Sequence, residues 1–137
     1  MQLREVAPDR EALADRIARS FGWGRLVIGT LLLLKPGVLL SVAGAAGTPG
    51  QQHWLVQMMA AREAALGLGT VSALALGDSP RPWLWAQALS DAGDALAFAS
   101  LARGGGGSRR AAALTAFAVS GVVADLLAAQ ASRPSAD

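Results

Sequence analysis

The chain contains no cysteine, no tyrosine and a single histidine, His53. Without cysteine there is no disulfide, no thiolate nucleophile and no thiolate-held metal, so thiol redox chemistry is excluded. One histidine cannot supply bis-histidine haem ligation within a chain, and a histidine-based zinc site is not expected. His53 reads instead as a polar residue at a loop end. It also falls at the opposite end of an apolar run from Ser90, so no Ser-His-acid set can assemble. Charge is scarce as well: 16% of residues are charged, against roughly 25% in an average soluble protein.

The charge that remains is nearly balanced, with a formal net of +2 despite a sequence pI of about 10.4. No tyrosine or cysteine titrates between neutrality and the arginines, so the pI overstates the basicity. The arginines are scattered at the ends of apolar runs and are not gathered on one polar face. Nucleic acid is therefore not an expected partner.

Hydrophobic residues are what the chain has in excess, 53% of its 137 residues, together with 16 glycines. The length suits one domain, and the composition makes a lipid bilayer the expected surroundings. Glycine and alanine fit this class because helices in a membrane meet through small residues. Four apolar runs, residues 21–40, 54–76, 83–101 and 111–131, are long enough to cross a hydrocarbon layer of about 30 Å. Pro36 breaks the first, leaving 38–42 as an interfacial segment.

Residues 1–20 carry four arginines and four acids and lack the apolar core of a cleaved signal peptide, so this segment is expected to be retained. Within it, Leu13, Ile17 and Phe21 recur every four residues, and Asp15 and Arg19 form an i, i+4 pair on the other side. That spacing predicts an amphipathic interfacial helix over 8–20. Residues 44–52, 77–82 and 103–110 read as connectors, and 132–137 as a polar tail. The glycines at 104–107 lack the lysine of a phosphate-binding loop and follow no strand.

The expected fold is all-α: an integral membrane four-helix up-down bundle with an N-terminal amphipathic helix. Trp23, Trp54, Trp83 and Trp85 stand at span ends, as interfacial anchors do. With the N-terminus inside, Arg4, Arg10, Arg16, Arg19, Arg81 and Arg133 face the cytoplasm, against Lys35, Arg103, Arg109 and Arg110 outside. The positive-inside rule thus places both termini in the cytoplasm. Ala112, Ala116, Ser120, Ala124 and Ala128 repeat every four residues, a stripe suited to a neighbouring helix, a second copy or a membrane-protein partner.

Seven charged residues fall within the runs; apart from Lys35 beside Pro36 and Asp125 nearer a span end, they are Arg25, Arg62, Glu63, Asp91 and Asp94. Counting about 1.5 Å per residue from the nearest connector brings them to a common depth. Gln87 extends the Asp91 and Asp94 stripe by one turn. The expected result is a layer in which Arg25 and Arg62 neutralise Glu63, Asp91 and Asp94. One negative charge is left over, so either a carboxyl holds a proton or a cation joins. Arg62 and Glu63, about 100° apart on one helix, are expected to face different neighbours, and Asp125, nearer a span end, is expected outside the layer.

Three functions fit such a layer. The leading expectation is a structural or assembly subunit whose ion pairs fix helix register. The second is an enzyme in which Asp94, Asp91 or Glu63 acts as general acid on an isoprenoid, a quinone or another lipid-soluble substrate. The third is a proton- or cation-coupled transporter. Asp91-x-x-Asp94 has the spacing to hold magnesium on a diphosphate, but the repeated aspartate motifs of prenyl-transferring enzymes are missing and two arginines compete for the acids. No metal and no cofactor is expected.

The segments Arg25-Leu-Val-Ile-Gly29 with Pro36, Ala61-Arg62-Glu63-Ala64-Ala65-Leu66-Gly67-Leu68-Gly69 and Asp91-Ala-Gly-Asp94-Ala95-Leu96 resemble small bacterial four-span membrane proteins of unknown function, over residues 25–128. The first span is also similar to DoxX-type membrane proteins, some of which are linked to oxidoreductase or quinone-associated complexes. The resemblance implies a four-span fold in a bacterial inner membrane and the pairing of an Arg-Glu helix with an Asp-x-x-Asp helix. It supplies no catalytic residue.

Overall fold

The structure, a computed structural model, describes residues 6–43, 53–103 and 108–132. The connectors at 44–52 and 104–107 and the tail at 133–137, with Arg4 and Arg133, lie outside the described residues. Five helices account for nearly all of what is described: α1 (Val6–Leu34), α2 (Gly37–Ala43), α3 (His53–Leu76), α4 (Arg81–Arg103) and α5 (Ser108–Ala131). There is no strand among the described residues.

The segment at 8–20 and the first apolar run form one helix of 29 residues, α1, where the sequence predicts two segments. Nothing between them removes a backbone donor. Gly22 and Gly24 each cost a helix about 1 kcal/mol, which packing offsets at Gly22, buried against Thr70 and Val71 of α3. The break comes at Pro36. Lys35 still donates its N–H to the Leu31 carbonyl at 2.8 Å, but Pro36 has no N–H to continue, and the chain restarts as α2.

The turn between α3 and α4 shows how local sequence fixes an end. Gly77 adopts φ +77°, a conformation that costs glycine nothing. Its N–H reaches the Leu74 carbonyl at 3.4 Å and the Asp78 N–H reaches the Ala73 carbonyl at 2.8 Å, the paired bonds of a Schellman cap. Ser79 Oγ then accepts from the Arg81 N–H at 3.4 Å, and the Leu84 N–H bonds to the Pro80 carbonyl. Serine as N-cap and proline in the first turn start α4.

The helices associate as two pairs, α1 along α3 and α4 along α5, with sparser contact between the pairs. Small residues bring α1 and α3 together. A Cβ on Gly29 would lie 2.7 Å from the Ala60 carbonyl oxygen, and one on Gly67 would lie 2.5 Å from the Gly22 carbonyl oxygen. On each helix the contacts recur every seven residues, Gly22 to Gly29 and Ala60 to Gly67, the spacing that keeps two helices on one seam.

The interior is made of alanine and the exterior of large apolar side chains. Of 13 buried apolar residues among those described, ten are alanine. Leu76, Leu89 and Phe117 are more than 70% exposed, and all four tryptophans are at least 39% exposed. Three stretches are long and apolar enough to cross a membrane: Arg10–Leu34, His53–Leu76 and Arg109–Ala131. Helix α4, which carries Gln87, Asp91 and Asp94, is not among them.

The small-residue stripe of α5 does not lie on one face. Ala112, Ala116 and Ser120 are exposed, Ala124 is half-buried and Ala128 is buried. A repeat of four on a helix of 3.6 residues per turn drifts by about 40° per step, so the stripe winds from the surface into the α4 contact.

Candidate functional site

Arg25 on α1 is the hub of the charged layer. Its Nη1 pairs with Glu63 Oε2 of α3, and its Nη2 donates to Asp91 Oδ2 of α4 at 2.5 Å and to Asp125 Oδ2 of α5 at 3.0 Å. Arg62 forms a second node, with Nη2 2.6 Å from Asp94 Oδ2 and 3.2 Å from Glu63 Oε1. Glu63 therefore joins the two nodes. Its Oε1 also accepts a long bond from Ser90 Oγ, at 3.5 Å. All four long helices contribute, and the network spans the gap between the two helix pairs.

The sequence expectation for Arg25, Arg62, Glu63, Asp91 and Asp94 describes this network, with one correction. Asp125, expected outside it, is a partner of Arg25 with a side chain wholly buried. Its count from the start of α5, 17 residues, places it about 25 Å along that helix, several ångströms beyond the depth of Asp91, and the long arginine side chain bridges the difference. Arg62 and Glu63 face different neighbours, Asp94 and Arg25, and the Arg62 side chain also curls back to Glu63 Oε1.

The nodes differ in their surroundings. The Arg25 side chain is 11% exposed and that of Arg62 37%. The inner node is enclosed between the four long helices, while the outer one reaches the bundle surface.

Gln87 extends the stripe as expected but joins α3 and not the ion pairs. Its Nε2 donates to Thr70 Oγ1 at 2.5 Å and more weakly to the Leu66 carbonyl at 3.4 Å. Both Gln87 and Thr70 are fully buried, and Gln87 Oε1 has no partner. Sequence reasoning did not single out Thr70. Its signal is one of two hydroxyls, with Ser72, on an apolar helix, at a depth matching the amide of Gln87.

Gly121 is a further residue the sequence does not announce. A Cβ there would fall on Asp91 Oδ2 and lie 3.0 Å from Asp91 Cγ. The missing side chain is the seat of the Asp91 carboxylate, which lets α5 pass beside α4 at the level of Arg25. Gly121→Ala is expected to push Asp91 off Arg25 and to cost about 1–3 kcal/mol, the range for a buried polar group that loses its partner. Unfolding of the single variants and of Gly121→Ala with Asp91→Ala provides the check. Once Asp91 is gone the alanine has room, so the second change should cost little; fully additive losses would refute the seat.

The oxygens of Glu63, Asp91 and Asp94 lie within 4.8 Å of one another. Each of these groups is also engaged by a guanidinium. The set is thus acidic but already occupied by fixed positive charge, an arrangement suited to joining helices. The chain matches no family model, no curated protein and no solved structure, so its functional reading is carried by its own residues.

Proposed function

We propose that the protein is a small integral membrane four-helix bundle of up-down order, in which the Arg25 and Arg62 layer clamps two helix hairpins into one unit, and that it serves as a structural or assembly subunit. The observation that carries this reading is the network itself. It takes a charged residue from each of α1, α3, α4 and α5, and every carboxylate in it contacts a guanidinium. Charges in hydrocarbon cost several kcal/mol each unless they face partners, and here the partners lie on other helices, so the saving depends on assembly.

The inside-out distribution of side chains supports the membrane setting. A water-soluble helical protein buries leucine and exposes charge; this chain buries alanine and exposes Leu76, Leu89, Leu96 and Phe117. Hydrocarbon gives no reason to hide large apolar groups, and small residues then do the packing. Helix α4 spans in this reading despite its polar residues, because Asp91 and Asp94 are neutralised across the hairpin gap. The arginine distribution supports an orientation of this bundle with both termini cytoplasmic, in an inner membrane.

The chain has no native cysteine, so single-cysteine variants give a map free of background. Cysteines at Gly50 and Gly105 are expected to label from one side of the membrane and a cysteine at Asp78 from the other, with Leu96→Cys protected. Labelling of Gly105→Cys from the same side as Asp78→Cys would show that α4 does not cross, and the up-down bundle would fall.

A further inference from the structure

The network contains four carboxylates, Glu63, Asp91, Asp94 and Asp125, and two guanidiniums, Arg25 and Arg62. These are the charged groups that α1, α3, α4 and α5 present to one another there, and two negative charges are in excess. A clamp alone would call for balance. A second observation locates the imbalance: Asp125 is fully buried, its Oδ2 shares Arg25 Nη2 with Asp91, and its Oδ1 has no hydrogen-bond partner. A bare anionic oxygen in such a place is among the most costly arrangements a protein can hold.

We propose that the layer is a proton-binding site that holds a proton at neutral pH on Oδ1 of Asp125. The proposal rests on the bundle reading for its setting and adds a ligand to it.

A divalent cation would balance the charge equally well but does not fit the donors. Magnesium and calcium take six or more oxygens. The oxygens of Glu63, Asp91 and Asp94 are already held by guanidiniums, which repel a cation. The orphaned oxygen is on Asp125, outside the group of three, where a proton suffices and a metal would find one ligand.

Proton binding is thereby tied to helix contact. With Asp125 neutral, Arg25 Nη2 is left chiefly to Asp91 of α4. When the proton leaves to water, the Asp125 carboxylate competes for the same N–H group and draws α5 toward α1. The proton state of one residue sets how Arg25 divides between the two helices of the second pair.

Infrared spectroscopy of the full chain in nanodiscs at pH 7 tests this directly. The wild type is expected to show a deuterium-sensitive protonated-carboxyl carbonyl band, lost or strongly reduced in Asp125→Asn and unchanged in Asp78→Asn. Should Asp125→Asn fail to fold, Asp125→Glu keeps the carboxyl and should shift the band. A missing band in the wild type, a band indifferent to both Asp125 changes, or a band seen only after chelation of divalent cations would each overturn the proposal. The cysteine map is read separately: an intact map without the band removes the proton site alone, and a failed map with the band present removes the membrane arrangement alone.

Discussion

Replacing Arg25 with glutamine is expected to remove about 3–5 kcal/mol of stability, the usual cost of breaking a buried ion pair from one side. That is a large share of the roughly 5–15 kcal/mol by which a folded protein is normally held, so little folded protein should accumulate. The cause is the number of groups left behind. Asp91 and Asp125 have no other guanidinium, Glu63 keeps only its longer contact with Arg62, and the Asp125 side chain is wholly buried. Arg25→Lys keeps the charge yet should recover only part of the loss, because a single ammonium cannot present two separate nitrogens to carboxylates on three helices. Arg62→Gln is expected to cost less than Arg25→Gln, since it leaves only Asp94 without a guanidinium while Glu63 keeps Arg25. Denaturant titration of the purified protein in detergent, followed by tryptophan fluorescence, gives the comparison. Equal losses at Arg25 and Arg62 would remove Arg25 from its place as hub.

The second large effect concerns the seam between α1 and α3. Gly67→Val should cost about 3 kcal/mol, near the upper end of what overpacking does, because the new side chain meets backbone and not a movable group. The Gly22 carbonyl and the Leu26 N–H stand 2.5 Å from where its Cβ must lie. The two helices have to move apart, and Arg25, one turn from Gly22, moves with them. Gly29→Val faces the backbone of Ala60 and Ala64 and should behave alike. Gly24→Ala is the control: nothing lies within 4 Å of its Cβ position, and alanine is favoured over glycine in a helix by about 1 kcal/mol. Thermal unfolding of the three variants should therefore show two losses and one small gain or no change. A neutral Gly67→Val would mean that α1 and α3 do not meet through this seam.

The parts of the structure that were legible in the sequence are those governed by counting along a helix. Apolar length marked the long helices, Pro36 marked the end of α1, and depth counting brought Arg25, Arg62, Glu63, Asp91 and Asp94 together before any contact was known. The parts that were not legible depend on side-chain reach and direction. Asp125 was excluded because depth treats arginine as a point on its helix axis, whereas its guanidinium reaches across more than a helical turn. Gly121 matters for an atom it lacks, and nothing distinguishes it from the other 15 glycines until Asp91 is seen resting on it. The stripe from Ala112 to Ala128 is legible only in part for a related reason: a repeat of four resembles a face over two steps and leaves it over four.

The layer also has an order in time. Arg25, Arg62 and Glu63 belong to the half of the chain made first, two guanidiniums against one carboxylate; Asp91, Asp94 and Asp125 belong to the half made last, three carboxylates with no base among them. Neither half can settle alone in hydrocarbon with its charges matched. On the proposed bundle reading, the early hairpin finds its matching charges only when the later one joins it, and a chain ending after α3 carries one uncompensated arginine.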